Sequence, residues 1–159
     1  MTVKKSLLIL SFILALLIAC GQKSDNSKNW VNDFENVLTE YQIQVLDSIM
    51  RDFEARTTNE IVIVTVNDIG NSPKMADFAV EIGNRWGVGK KDKDNGLIII
   101  FSRTMKETFF ATGYGTEKIL KDEICKEIVD SIMIPFFMEE DYFRGLKAGL
   151  LECIDRWEK

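Results

Sequence analysis

Two short runs of this chain are apolar at nearly every position rather than at every second one. Residues 60–66 read Glu-Ile-Val-Ile-Val-Thr-Val, and residues 96–102 read Gly-Leu-Ile-Ile-Ile-Phe-Ser. β-Branched side chains favour extended backbone, and a strand that is apolar on both faces has to be covered on both faces. Antiparallel sheets with one wet face alternate, whereas parallel strands held between helix layers do not. Between the two runs, Met75, Phe78, Ala79, Ile82 and Trp86 recur at helical spacing, behind Ser72 as the predicted cap and Pro73 as the predicted first helical residue. Strand, helix, strand predicts a βαβ unit with parallel strands, right-handed by the usual rule. The chain is therefore expected in the α/β class.

The flanks extend this unit. Residues 103–106 form a predicted turn, and residues 107–112 a third strand that returns antiparallel to the second, ended by Gly113-Tyr114-Gly115. Upstream, Thr39 and Gln42 make a capping box, Leu38 can staple onto Ile43, and Ile43, Leu46, Ile49, Met50 and Phe53 predict a helix to about Arg56. Downstream, one helix is predicted over residues 122–134, stopped by Pro135, and another over residues 141–157 with Phe143, Leu146, Leu150, Cys153, Ile154 and Trp157 as its stripe. Connectivity then places the loops. With the first two strands parallel and the third antiparallel, Asp94-Asn95-Gly96 and Gly113-Tyr114-Gly115 fall at the same end of the sheet, with Glu117 and Asp122 close by.

The amino terminus reads as an address. Lys4 and Lys5 precede thirteen nearly all apolar positions, residues 7–19. As a helix these would span roughly 20 Å, short of the ~30 Å hydrocarbon core and suited to a signal peptide. Leu17-Ile18-Ala19-Cys20-Gly21 resembles the lipobox of a bacterial lipoprotein signal, which implies that Cys20 is diacylated and becomes the mature first residue. The plainer alternative is a secretory signal or signal anchor with an incidental cysteine. Residues 21–30 are polar up to Trp30 and reach at most ~35 Å when extended. The expected organisation is a signal peptide at 1–19, a lipidated cysteine and tether at 20–30, and one domain at 31–159. That places the domain in the bacterial cell envelope, held to a membrane on its non-cytoplasmic side.

Charge and composition narrow the chemistry. The chain contains no histidine, which removes His-based triads and His metal ligands. Its three cysteines are too few for a disulfide framework. Cys125 and Cys153 read as buried thiols on core-facing helix positions, with a disulfide as the alternative in an oxidising compartment. Without residues 1–19 the chain holds 18 basic and 25 acidic groups, a net charge of −7, which argues against nucleic acid as a partner. Gly87-Val88-Gly89-Lys90-Lys91 follows a helix and lacks the hydroxyl residue of a phosphate loop, and Gly113-Tyr114-Gly115 lacks the third glycine of a dinucleotide fold, so no nucleotide is expected. The acidic stretch from Asp92 to Gly96 does not match an EF-hand, because Leu97 and Arg103 stand at its sixth and twelfth positions. It reads either as a strand-entry turn or as an oxygen-rich cation loop. No serine stands on a strand-to-helix elbow, and acids are too common for a pair such as Asp94 and Asp122 to mark catalysis.

Seven motifs occur in order: Val31-Asn32-Asp33, Gly83-Asn84-Arg85-Trp86-Gly87-Val88-Gly89, Asp94-Asn95-Gly96-Leu97-Ile98-Ile99, Thr112-Gly113-Tyr114-Gly115-Thr116-Glu117, Leu120-Lys121-Asp122, Pro135-Phe136-Phe137, and Asp141-Tyr142-Phe143-Arg144-Gly145-Leu146. This series resembles the TPM domain, named for a thylakoid lumen protein, a photosystem II repair protein and a nematode receptor modulator. The resemblance implies a three-layer α/β sandwich, Rossmann-like, with a small mixed sheet flanked by helices. It implies a role as an accessory or maintenance factor for membrane protein complexes, with an unidentified membrane protein as partner. It also implies a divalent cation, calcium first and magnesium second. Carried over by motif, the expected ligands are Asp33, Asp94, Asn95, Glu117 and Asp122. A plant member described as an acid phosphatase supplies the alternative, a metal- or carboxylate-dependent phosphatase. Two positions depart from the family pattern: Thr116 stands where leucine is common, and Lys121 where threonine is. Lys121 beside Asp122 opposes tight cation binding. Relatives often carry a glycine-rich tail or second membrane span; this sequence ends at Lys159 without either, so the lipid is the expected attachment.

Overall fold

The computed structural model describes residues 29–159. The residues read as signal peptide, Cys20, and those read as tether as far as residue 28 lie outside the described residues. Four strands form one sheet in the order β1 (Val31–Asp33), β2 (Glu60–Thr65), β3 (Gly96–Ser102) and β4 (Glu107–Thr112). The first three are parallel and β4 runs antiparallel to β3. Helix α1 (Glu40–Thr57) joins β1 to β2, and α2 (Met75–Trp86) joins β2 to β3. After β4 come a single turn, α3 (Tyr114–Glu117), then α4 (Asp122–Ile128), a π-helical turn (Val129–Met133), α5 (Ile134–Met138) and α6 (Tyr142–Trp157).

The uniformly apolar strands divide their side chains between two cores. Ile61, Ile63, Leu97, Ile99 and Phe101 face Leu46, Met50 and Phe53 of α1 and Leu146, Leu150 and Cys153 of α6. Val62, Val64, Ile98 and Ile100 face Met75, Ala79 and Ile82 of α2. This is the expected three-layer sandwich with a small mixed sheet. One consequence of the layering departs from expectation. The chain steps the same way across the sheet from β1 to β2 to β3, yet α1 and α2 cover opposite faces. The two crossovers therefore have opposite hands, and one of them breaks the right-handed rule.

Local chemistry explains most element boundaries. Thr39 caps α1 through the Gln42 amide, and the Gln42 side chain accepts from the Thr39 N–H at 2.8 Å, completing the capping box. Thr58, at φ 66°, ends the helix in the left-handed region. Three expectations are corrected. Ser72 does not cap α2: its amide closes a turn onto the Ile69 carbonyl, and Lys74 occupies the cap position without a side-chain bond. Trp86, read as part of the α2 stripe, is 36% exposed. Pro135 does not stop the helix. The Ile134 N–H reaches back five residues to Val129, and this wider turn sets Pro135 in the first turn of α5, where its missing N–H leaves no orphan.

Cys125 and Cys153 are both free and buried. Burial pushes the Cys125 thiol up to about 11 and the Cys153 thiol well above its usual 9.0. The neutral thiols favour the folded state, so their contribution is complete below pH 9 and is lost as pH rises towards 11. Native protein at pH 8 should accordingly leave both thiols unreacted with Ellman's reagent over hours, and urea should release them in step with unfolding. Rapid reaction of either in the native state would contradict this burial. Among the described residues, no helix is long and apolar enough to cross a membrane.

Candidate functional site at the start of the strands

The segment before β3 is bent back and pinned by one side chain. Asn95 is buried, and its Oδ1 accepts from the Lys90 N–H at 2.8 Å. Its Nδ2 donates to the Thr58 carbonyl and to Asn59 Oδ1, each at 2.9 Å. The Lys90 carbonyl in turn accepts from the amides of Lys93 and Asp94. Asp94 is left exposed in the left-handed region at φ 48°. An aspartate tolerates that conformation better than most residues.

The returning β4 meets this loop, as the connectivity requires. The Gly113 amide donates to the Gly96 carbonyl at 2.9 Å, and the Gly115 amide to the Asp94 carbonyl at 3.0 Å. The buried Thr116 hydroxyl donates to the Gly96 carbonyl at 2.9 Å. This bond ties α3 to the start of β3. Glu117 closes the same turn, its amide on the Gly113 carbonyl, with its side chain exposed. Asp94, Gly113 and Tyr114 share a cleft of about 360 Å³ with Asn84 and Val88 of the α2 side.

A charged relay links these loops to the point where the domain begins. Lys90 Nζ contacts Glu60 Oε1 at 2.5 Å and Glu54 Oε1 at 3.0 Å, and the Trp30 indole N–H donates to Glu54 Oε2 at 3.2 Å. The two carboxylates, Glu60 first, hold the Lys90 ammonium above its usual range. Trp30 directly precedes β1, so the chain enters the domain tied to the Asp94 loop.

The five expected ligands do not form one cluster. Asp94 and Glu117 lie on the joined loops. The Asn95 amide is buried, with both its donors and one lone pair of Oδ1 already engaged. Asp122 lines a different cleft, of about 350 Å³, with Thr108, Phe110 and Cys125. Asp33 sits at the opposite end of the sheet: it pairs with Thr65, whereas Gly96 pairs with Glu60, and those rows are about 16 Å apart along β2. Asp33 accepts from the Val37 and Leu38 amides, at 3.2 and 2.8 Å, and from the Thr65 hydroxyl. Among the described residues, no three His, Cys, Asp or Glu side chains are grouped to hold a metal. Asp33→Ala should therefore cost about 1–2 kcal/mol in urea denaturation, as loss of a capping carboxylate does, and leave any calcium response unchanged. Loss of calcium binding with unaltered stability would reverse that assignment.

Beside Asp33 stands a residue that the sequence did not mark. Glu35 is buried, and its carboxylate accepts from the Arg103 and Thr104 amides at 2.8 and 2.9 Å and from the Thr104 hydroxyl at 2.8 Å. It fixes the turn between β3 and β4 from 68 residues away in sequence.

The TPM domain family model matches residues 31–156. No match was found among curated proteins. Three solved structures have similar folds. The N-terminal domain of a protein from P. gingivalis, determined in solution by NMR, is 30% identical with a TM-score of 0.76, over 84% of this chain and 85% of that one. The N-terminal domain of the cg2496 protein from Corynebacterium glutamicum is 12% identical with a TM-score of 0.63, over 85% and 84%. The BA42 protein from Bizionia argentinensis is 17% identical with a TM-score of 0.67, over 78% and 83%.

Proposed function

The chain belongs to the TPM domain family, and from that premise we propose that it is a lipid-anchored protein of the bacterial cell envelope. In this reading it serves as an accessory or maintenance factor for membrane protein complexes and binds a divalent cation, calcium before magnesium, at the Asp94 and Glu117 loops. The observation that carries the reading is the relay from Trp30 through Glu54 and Lys90 to Glu60. It brings Trp30, where the domain begins, and the acidic loops to the same end of the sheet. With a tether of at most ~35 Å from Cys20, those loops stay next to the membrane and its proteins.

The donor set fits a weak cation site better than a tight one. Calcium takes six to eight oxygens, which carboxylates, backbone carbonyls and water supply together. Asp94 and Glu117 offer two carboxylates on loops already braced against each other. Lys93 and Lys118, their exposed chain neighbours, oppose accumulation of positive charge. When bound, the cation would hold the two loops in one arrangement and so define a partner surface.

Calcium titration of residues 24–159 by two-dimensional NMR tests this reading. Saturable shifts confined to the surroundings of Asp94 and residues 113–117, lost in Asp94→Ala, are expected. A silent titration would remove the cation from the proposal. Steady phosphate-ester hydrolysis that collapses in Asp94→Ala would favour the phosphatase alternative instead. In cells, Cys20→Ala should move the protein out of the membrane fraction.

A further inference from the structure

The motifs Pro135-Phe136-Phe137 and Asp141 to Leu146 take no part in the loops above. Through Phe137 and Tyr142 they line a third concavity, at the carboxyl end of β3. We infer that this pocket binds a single-tailed amphiphile with an anionic head, of the fatty-acid type. The cavity is about 570 Å³, within the range of small-molecule sites. Its floor is an aromatic trio: the ring centroid of Phe101 lies 4.6 Å from that of Phe137 and 5.3 Å from that of Tyr142. Val129, the first residue of the π-helical turn, and Ile134, the residue just after it, form an aliphatic wall. π turns recur at functional sites because they distort a helix at a cost in hydrogen-bond geometry.

The rim supplies the charge. Arg103 and Lys106 line the mouth, and among the described residues neither is paired with a carboxylate. Arg103 lies 6.0 Å above the Tyr142 ring. Glu140 is the one acid lining the rim, and the Glu35 carboxylate behind the turn is engaged with its backbone amides, so both cationic side chains remain available to an anion. The cations are also preorganised, because buried Glu35 holds the turn that carries them through the Arg103 and Thr104 amides. An aromatic and aliphatic floor beneath two unpaired cations matches an apolar tail ending in a carboxylate or phosphate.

Residues 24–159 suffice for the test, since both cores close within residues 31–157 and the P. gingivalis relative was solved as an isolated domain. Decanoate, decyl phosphate, decanol and inorganic phosphate would be titrated separately and followed by NMR. Decanoate or decyl phosphate should shift the signals of Arg103, Phe137 and Tyr142 saturably. Decanol should bind about tenfold more weakly, and the double variant R103Q/K106Q should lose about tenfold in decanoate affinity at unchanged melting temperature. Which of the two heads binds tighter identifies the natural head group. The inference is overturned by the absence of shifts with either anion at millimolar concentration. It is also overturned by equal binding of decanoate and decanol with no effect of R103Q/K106Q, or by inorganic phosphate binding as well as decyl phosphate.

Discussion

Gly115→Ala should be among the most damaging single substitutions in this domain, lowering stability by about 3–4 kcal/mol. A β-carbon at that position would lie 2.0 Å from the Lys93 carbonyl oxygen and 3.1 Å from that of Asp94. The obstacle is backbone, and the backbone cannot yield easily. Asn95 holds it through Lys90, Thr58 and Asn59, and the Gly115 amide itself is bonded to the Asp94 carbonyl. Gly113 faces the same carbonyl, at 2.3 Å from its hypothetical β-carbon. The glycine pair is thus required by close approach of two loops rather than by special torsions. Gly87 makes the control. Its φ of 63° favours glycine, but nothing stands within 4 Å, so Gly87→Ala should cost only about 1–2 kcal/mol. Thermal melts of the two variants would show the contrast. A Gly115→Ala protein that melts within a few degrees of the parent would mean that the two loops are not braced as described.

The same region shows what a sequence carries and what it does not. Residues 60–65 and 96–102 announce themselves, because a short β-branched run that is apolar on both faces suits a strand covered on both sides, as in a parallel sheet. Thr39 and Gln42 mark the start of α1 by a local rule whose two bonds both form. The meeting of Asp94 with Gly113 and Gly115 was also legible, since strand directions alone decide which loops share an end. Other features depend on contacts that no local pattern encodes. β1 has three residues and no alternation, and exists because β2 offers it an edge. Asp33 belongs to a motif that points toward a cation, yet its oxygens serve two backbone amides and the Thr65 hydroxyl at the far end of the sheet. Asp122 follows the acidic loops closely in sequence, but it faces Cys125 and Phe110. Pro135 was read by the ordinary rule for helices, which a π turn evades.

Glu35→Ala should cost about 2–3 kcal/mol, the second of the large effects. One carboxylate, 5% exposed, satisfies the Arg103 amide, the Thr104 amide and the Thr104 hydroxyl together. Truncation removes the acceptor that both amides share and loses charge-assisted bonds. Glu35→Gln should rescue stability only in part, because its Oε1 can still accept from the Thr104 amide and hydroxyl while its Nε2 meets the Arg103 amide, donor against donor. Thr104→Val removes one of the three bonds and should cost no more than about 1 kcal/mol. The additional readout is local. Amide exchange at residues 103–106 should accelerate in Glu35→Ala beyond what global destabilisation explains, since this carboxylate is what fixes that turn. The Glu35 amide itself donates to the Thr65 hydroxyl, which donates to Asp33, so the variant should also loosen the end of β1. Because Arg103 and Lys106 sit on the turn that Glu35 holds, Glu35→Ala should weaken decanoate binding even at temperatures where the fold persists. A variant that keeps its stability and slow exchange at the turn would show that water replaces the carboxylate without loss.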